Sequence, residues 1–156
     1  GRWHVEVVED RSGVEWVPDR VLGLLARWPD ALLVVMTAGP SGQVVPELLQ
    51  RDVKVGAPGR EDGHRVELLT LRDHAAGCGL LETYVRAGKL AHALIDGSPD
   101  PRWRVALNGA RTKPSADAWV WSLKDSTVDP MHLTAAANAL LGAVRREPGS
   151  VVDSVW

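Results

Sequence analysis

The chain has 156 residues, enough for one domain of ordinary size. Apolar residues make up 45% and charged residues 24%, the make-up of a packed globular core, which excludes a disordered or coiled-coil chain. With 18 Lys+Arg against 20 Asp+Glu the net charge is −2, so the chain is not a strongly basic sheath for nucleic acid.

The single cysteine, Cys78, excludes an intrachain disulfide and a Cys-x-x-Cys metal site, and points to an intracellular, cytoplasmic setting. No apolar run approaches the roughly 18 residues of a membrane span, and no signal-peptide pattern opens the chain, so no membrane partner is expected. The start at Gly1, with a strand-like run almost at once, predicts a processed N-terminus or a piece of a longer protein.

Residues 4–8 (HVEVV) alternate weakly and predict a strand, closed by a turn over 10–13 (DRSG). Pro18 suits the first turn of a helix whose stripe is Val21, Leu22, Leu25 and Trp28, and Pro29 stops it. Residues 31–36 (ALLVVM) form a continuous apolar run between turn signals, which predicts a buried, parallel strand. A tight loop over 37–42 (TAGPSG), a short helix over 44–50 and a short strand over 53–55 follow. This alternation places the chain in the α/β class. Residues 57–65 (APGREDGHR) read as an exposed loop. A helix is predicted over 71–87 with His74, Cys78, Leu81 and Val85 in its stripe and Gly88 at its C-terminal cap. Gly77 and Gly79 each weaken it by about 1 kcal/mol relative to Ala, which predicts close packing against a neighbouring backbone. A short strand is predicted over 89–92. Asp100-Pro101 opens a helix to about Ala110, and residues 118–123, with Trp119 and Trp121, predict a strand. Asp129-Pro130 opens the last helix, to about Arg146. Leu133, Ala137, Leu140, Leu141 and Val144 share one of its faces, and Arg145 and Arg146 complement its C-terminal dipole. Residues 1–146 therefore read as the domain and 147–156 as a C-terminal tail.

Four stretches, over residues 14–35, 38–49, 76–92 and 117–143, resemble the C-terminal nuclease domain of the large terminase subunit of tailed phages, in the form common in actinobacterial phages and prophages. The last is the most specific: a Trp-rich strand, a Ser-Thr turn, Asp129 starting a helix, and a Leu/Ala-rich helix ending in Gly-Ala. The resemblance covers about residues 5–144. It implies an RNase H-like mixed sheet flanked by helices and a hydrolase, a DNA endonuclease of phage genome packaging. Its implied partners are double-stranded DNA, the terminase ATPase domain and the portal, in an infected or lysogenic cell. It also implies two Mg²⁺ or Mn²⁺ ions held by clustered carboxylates, because paired hard cations activate water and stabilise the leaving oxygen.

Carried over by position, Asp129 matches the final-helix acid and is the expected catalytic and metal-binding residue. Met36 stands where the fourth-strand acid belongs, and a thioether is a poor ligand for Mg²⁺. The first-strand acid has no counterpart, since residues 4–8 correspond to the family's third strand and the first two strands are absent. The resemblance thus implies a fragment that does not cleave DNA alone, or alternatively a non-catalytic DNA- or protein-binding module of the packaging machinery. It further predicts that residues 5–8 pair outside the family's order, or that a gap opens beside residues 31–36.

Other residues carry two readings each. Asp129 before Pro130 is also an ordinary helix cap. Gly39-Pro40-Ser41-Gly42 is a turn or a phosphate cradle. Asp117 is a solvated loop acid or a neighbour of the metal site. His74 and His132 are core or surface residues, or ligands. Trp119 and Trp121 are core packing or stacking platforms. Arg102, Arg104, Arg111 and Lys113 are a solvated face or a contact for DNA phosphates.

Overall fold

Side-chain caps at Thr70 and Asp73, at Asp100 and at Asp129 explain where three of the helices begin. In the computed structural model, which describes residues 2–51, 53, 55–56, 65–92 and 94–147, the elements run as follows. Strand β1 is Trp3–Val5, helix α1 Val17–Arg27 and strand β2 Leu33–Met36. A 3-10 turn, Pro40–Val44, leads into α2, Val45–Gln50. Then come β3 (Val55–Gly56), β4 (Val66–Leu69), α3 (Leu71–Arg86), β5 (Leu90–His92), β6 (Leu94–Ile95), β7 (Ser98–Pro99), α4 (Pro101–Gly109), β8 (Arg111–Ser115), β9 (Ala118–Ser122) and α5 (Met131–Arg146). The protein is mixed α/β. Among the described residues the strands pair as four small sheets rather than one continuous sheet: β1–β5, β2–β4–β3, β6–β7 and β8–β9. No described helix is long and apolar enough to cross a membrane.

The chain divides into two compact units, one of residues 11–73 and 141–156, the other of residues 1–10 and 74–140. In the first, β2, β4 and β3 are all parallel, as the apolar run predicts, with Val34 opposite Glu67 and Met36 opposite Leu69. Leu33, Val35, Val66 and Leu68 share one face of this sheet. That face packs with Val21 and Leu25 of α1, Val44 and Leu48, and Leu48 is fully buried. On the opposite face, Gly142 of α5 packs against Val34; a Cβ there would come within 2.5 Å of Val34 Cγ2. Arg65 closes α1 by donating from Nη2 to the carbonyls of Leu25 and Trp28, at 2.6 and 2.9 Å, which would otherwise lack helical partners. Thr70 and Asp73 form a capping box at the start of α3. Asp73 Oδ2 accepts from Thr70 N and Oγ1, and Thr70 Oγ1 accepts from Asp73 N.

The second unit carries the two Asp-Pro helix starts, and both behave as predicted. Asp100 Oδ1 accepts from the N–H of Arg102 at 2.9 Å, and Asp129 Oδ1 from that of Met131 at 3.0 Å. Gly88, at φ 65°, ends α3 as predicted. The N–H of Gly88 reaches Val85 O and that of Lys89 reaches Tyr84 O, a pattern that a left-handed residue completes. The β8–β9 hairpin pairs Thr112 with Trp121 and Pro114 with Trp119.

Several expectations need correction. The first strand is Trp3–Val5, and it pairs in parallel with β5, so residues 6–8 lie outside it. Of residues 53–55, Val55 starts β3, Val53 lies outside it, and residue 54 lies outside the described residues. Strands β4, β6, β7 and β8 have no counterpart among the expected elements. Gly79 has nothing within 4 Å of its would-be Cβ, so close backbone packing does not explain it. Residues 57–64 of the expected loop and 148–156 of the expected tail lie outside the described residues.

Candidate functional site

Asp129 lies exposed at the start of α5, with one carboxylate oxygen engaged in the cap. One turn on, His132 places Nε2 3.1 Å from Asp10 Oδ2, and its ring meets Trp103 edge-on with centroids 6.4 Å apart. Nearby in the same unit, Asp100 is buried and grips the Arg102 guanidinium at 2.7–3.0 Å, while Arg102 Nη2 also donates to Val7 O. The Arg102 hydrogen bonds hold the Asp100 carboxyl below its ordinary range, and Asp100 raises Arg102 in return. The stretch before α1 is thus tied to the starts of α4 and α5.

This set does not fit a two-metal centre. Among the described residues no three His, Cys, Asp or Glu side chains stand together as a metal-holding group. Met36, in the other unit, ends β2 opposite Leu69 and supplies a thioether where a hard cation needs oxygen. No reaction step through a metal follows from these residues.

The other candidates resolve as follows. Ser41 spends its hydroxyl on Met36 O, at 2.8 Å, and Ala38 O, and Gly42 sits so tightly against the Thr37 carbonyl that a side chain there would collide with it. Two of the four basic residues are engaged within the chain. Arg102 holds Asp100, and Arg111 Nη1 donates to the carbonyls of Asn108 and Ala110 at the end of α4. Arg104 and Lys113 are exposed, and Asp117 sits exposed in the β8–β9 turn.

Two constellations escape the sequence reading. The first joins Cys78, His74 and Asn138. His74 Nδ1 lies 2.8 Å from Asn138 Oδ1 and its Nε2 3.6 Å from Cys78 Sγ, so a neutral ring donates to the amide and accepts from the thiol. Nucleophile, base and orienting amide occur in the order that cysteine hydrolases use. Burial removes the chemistry. Cys78 is 0% and His74 3% exposed, which bars a substrate. Burial also pushes the thiol up to about 11, opposite to the lowering that a catalytic cysteine needs, although the backbone N–H of Trp121 works against it. Burial likewise pushes His74 down, against the hydrogen bond that its ring donates to Asn138 Oδ1. The i, i+4 spacing of His74 and Cys78 is readable in the sequence; Asn138 is not.

The second is ionic and lies in the first unit. Glu67 is buried on the central strand β4, and Arg145 of α5 reaches it at 3.6 Å and Asp73 at 2.8 Å. Burial pushes the Asp73 carboxyl up, but the bonds from Thr70 and Arg145 outweigh it and hold the group below its ordinary value. This network fixes the end of α5 and the start of α3 to the sheet.

No family profile matches the chain, and neither the curated proteins nor the solved structures contain a match to it.

Proposed function

We propose that the chain is an RNase H-like nuclease domain of the phage terminase type, in a form that does not cleave DNA by itself. The observation that carries this reading is the position of β2. It is the edge of its three-stranded sheet among the described residues, and β1 pairs with β5 instead of joining that sheet. The family's first strand, with its acid, belongs beside the strand that β2 represents. Its fourth-strand acid belongs at Met36. The helix start at Asp129 supports the same reading, since it supplies the one carboxylate that matches by position. An in-line phosphodiester hydrolysis with two cations needs several clustered oxygen donors, and one carboxylate is too few. The domain then serves packaging as a partner of double-stranded DNA, the ATPase domain or the portal.

The expected outcome is no Mg²⁺- or Mn²⁺-dependent cleavage of plasmid DNA. Metal-dependent cleavage that disappears in Asp129→Ala would overturn the reading of inactivity. Met36→Asp, combined with an Asp-bearing strand supplied upstream of Gly1, restores cleavage if the domain is a nuclease that lost its acids. Binding of DNA at full strength without metal, and no restored cleavage, favours the non-catalytic module.

A further inference from the structure

We propose that residues 150–156 (SVVDSVW) add as a strand to the open edge of β2, so that the chain covers the edge of its own β2–β4–β3 sheet. The proposal does not rest on the nuclease reading, which puts a different strand at that edge; any strand arriving there has to displace this one.

The backbone defines what the edge takes. The N–H of Leu33 donates to Arg65 O, just before β4, and that of Thr37 to Leu69 O at its end, both at 2.9 Å. Successive strand residues turn their backbone groups to opposite sides, so the N–H and C=O of Val34 and the N–H of Met36 point away from β4. No strand pairs with them among the described residues. Met36 O accepts from Ser41 Oγ at 2.8 Å, which marks the end of the open ladder. Residues 31–36 (ALLVVM) hold no charge and no proline, the devices that keep an edge from pairing. Such a ladder selects another extended, largely apolar backbone.

Placement and sequence single out the tail as that backbone. It belongs with β2 to one compact unit, and α5 delivers it there: Gly142 lies against Val34, and Arg145 binds Asp73 at 2.8 Å, just past β4. Nine residues, 148–156, follow the last described one and span up to about 30 Å, against about 13 Å for the four residues of β2. Their order is that of a returning strand, since Pro148-Gly149 is a turn signal and four of the last six residues are Val or Trp. The other long stretch of this unit outside the described residues, 57–64 (APGREDGH), is charged and rich in Gly and Pro, which makes it a poor strand. A tethered segment also meets the edge at an effective concentration of about millimolar, well above that of a second copy in micromolar protein.

The test is hydrogen exchange of assigned backbone amides in the full chain. The N–H groups of Val34 and Met36 are expected to exchange at least about tenfold more slowly than in a chain ended after Glu147, while those of Leu33 and Thr37, bonded on the β4 side in both, keep their protection and report that the fold survives. Val152→Pro and Asp153→Pro, made singly in the full chain, give the same comparison without truncation. Neighbouring strand residues turn to opposite sides, so one of the two prolines faces β2 and is expected to reproduce the loss. Rapid exchange of Val34 and Met36 in the full chain, protection that survives removal of the tail, or protection unchanged in both proline variants would overturn the proposal. So would protection that falls on about tenfold dilution, the mark of a second copy at the edge.

Discussion

His74 gives the sharpest stability test. Its ring is 3% exposed, and both nitrogens are occupied while it is neutral, by Asn138 Oδ1 at 2.8 Å and by the Cys78 thiol at 3.6 Å. Protonation would aim a second N–H at the thiol and put a charge where water cannot reach it. Burial therefore lowers the folded-state pKa below the ordinary histidine value, with the Asn138 oxygen opposing. The folded state then binds fewer protons than the unfolded state. The stabilisation is complete above the unfolded value of about 6.5 and is lost as the pH falls from there toward the lowered folded value. Over that window the loss is up to about 1.4 kcal/mol per pH unit. Urea unfolding of wild type and His74→Gln, in steps from about pH 7.5 to about pH 5.5, isolates this contribution, because every other titrating group is shared. The expected result is a steeper fall for wild type below about pH 6.5. Parallel curves would refute the assignment of His74 as a buried neutral ring. Asn138→Ala supplies a second reading at about pH 7.5. It leaves the Nδ1–H buried without its acceptor and is expected to cost about 1–3 kcal/mol.

Glycine substitutions in the helices should split by what a methyl group meets. Gly23→Ala and Gly79→Ala face open space and are expected to stabilise by about 0.5–1 kcal/mol each. Gly142→Ala presses on Val34 Cγ2 at 2.5 Å, and an overpacking cost of about 1–3 kcal/mol exceeds the helix gain; denaturant midpoints that move together for all three would contradict this. Cys78, fully buried with its thiol pushed up to about 11, should resist an aromatic disulfide reagent in buffer and react completely in concentrated urea; rapid labelling of the folded chain would rule out the buried pair with His74. Asp129→Ala removes the bond to the Met131 N–H and should cost about 0.5–2 kcal/mol, whereas Asp129→Asn keeps an acceptor and most of the stability. Equal melting temperatures for wild type and the alanine variant would show that the cap contributes nothing.

What the sequence reveals of this fold follows the range of the forces involved. The helix starts at Asp100 and Asp129 and the stop at Gly88 depend on bonds within a few residues, and each is readable from local residue types. Strand β2 is readable because a strand packed on both faces needs apolar side chains throughout. Its neighbour β4 (VELL) is buried more deeply and is not readable, because Glu67 breaks the run. A carboxylate survives there through Arg145, brought by the last helix from the opposite end of the chain, and no local rule announces that pair. Strand β8 (RTKPS) hides for the opposite reason. It is mostly exposed, tolerates a proline at an edge, and exists because β9 pairs with it. The candidate sites divide along the same line. The spacing of His74 and Cys78 and the alternation of Trp119 and Trp121 are local facts. Whether that nucleophile is silenced is decided by its burial in the packed unit, and whether a pair of rings lines a cleft by Leu107 and Leu133 from α4 and α5. For Asp129 the carboxylate itself is a local fact, and its chemistry depends on distant strands. One acid caps a helix, and only acids delivered by other strands would turn that cap into part of a metal centre.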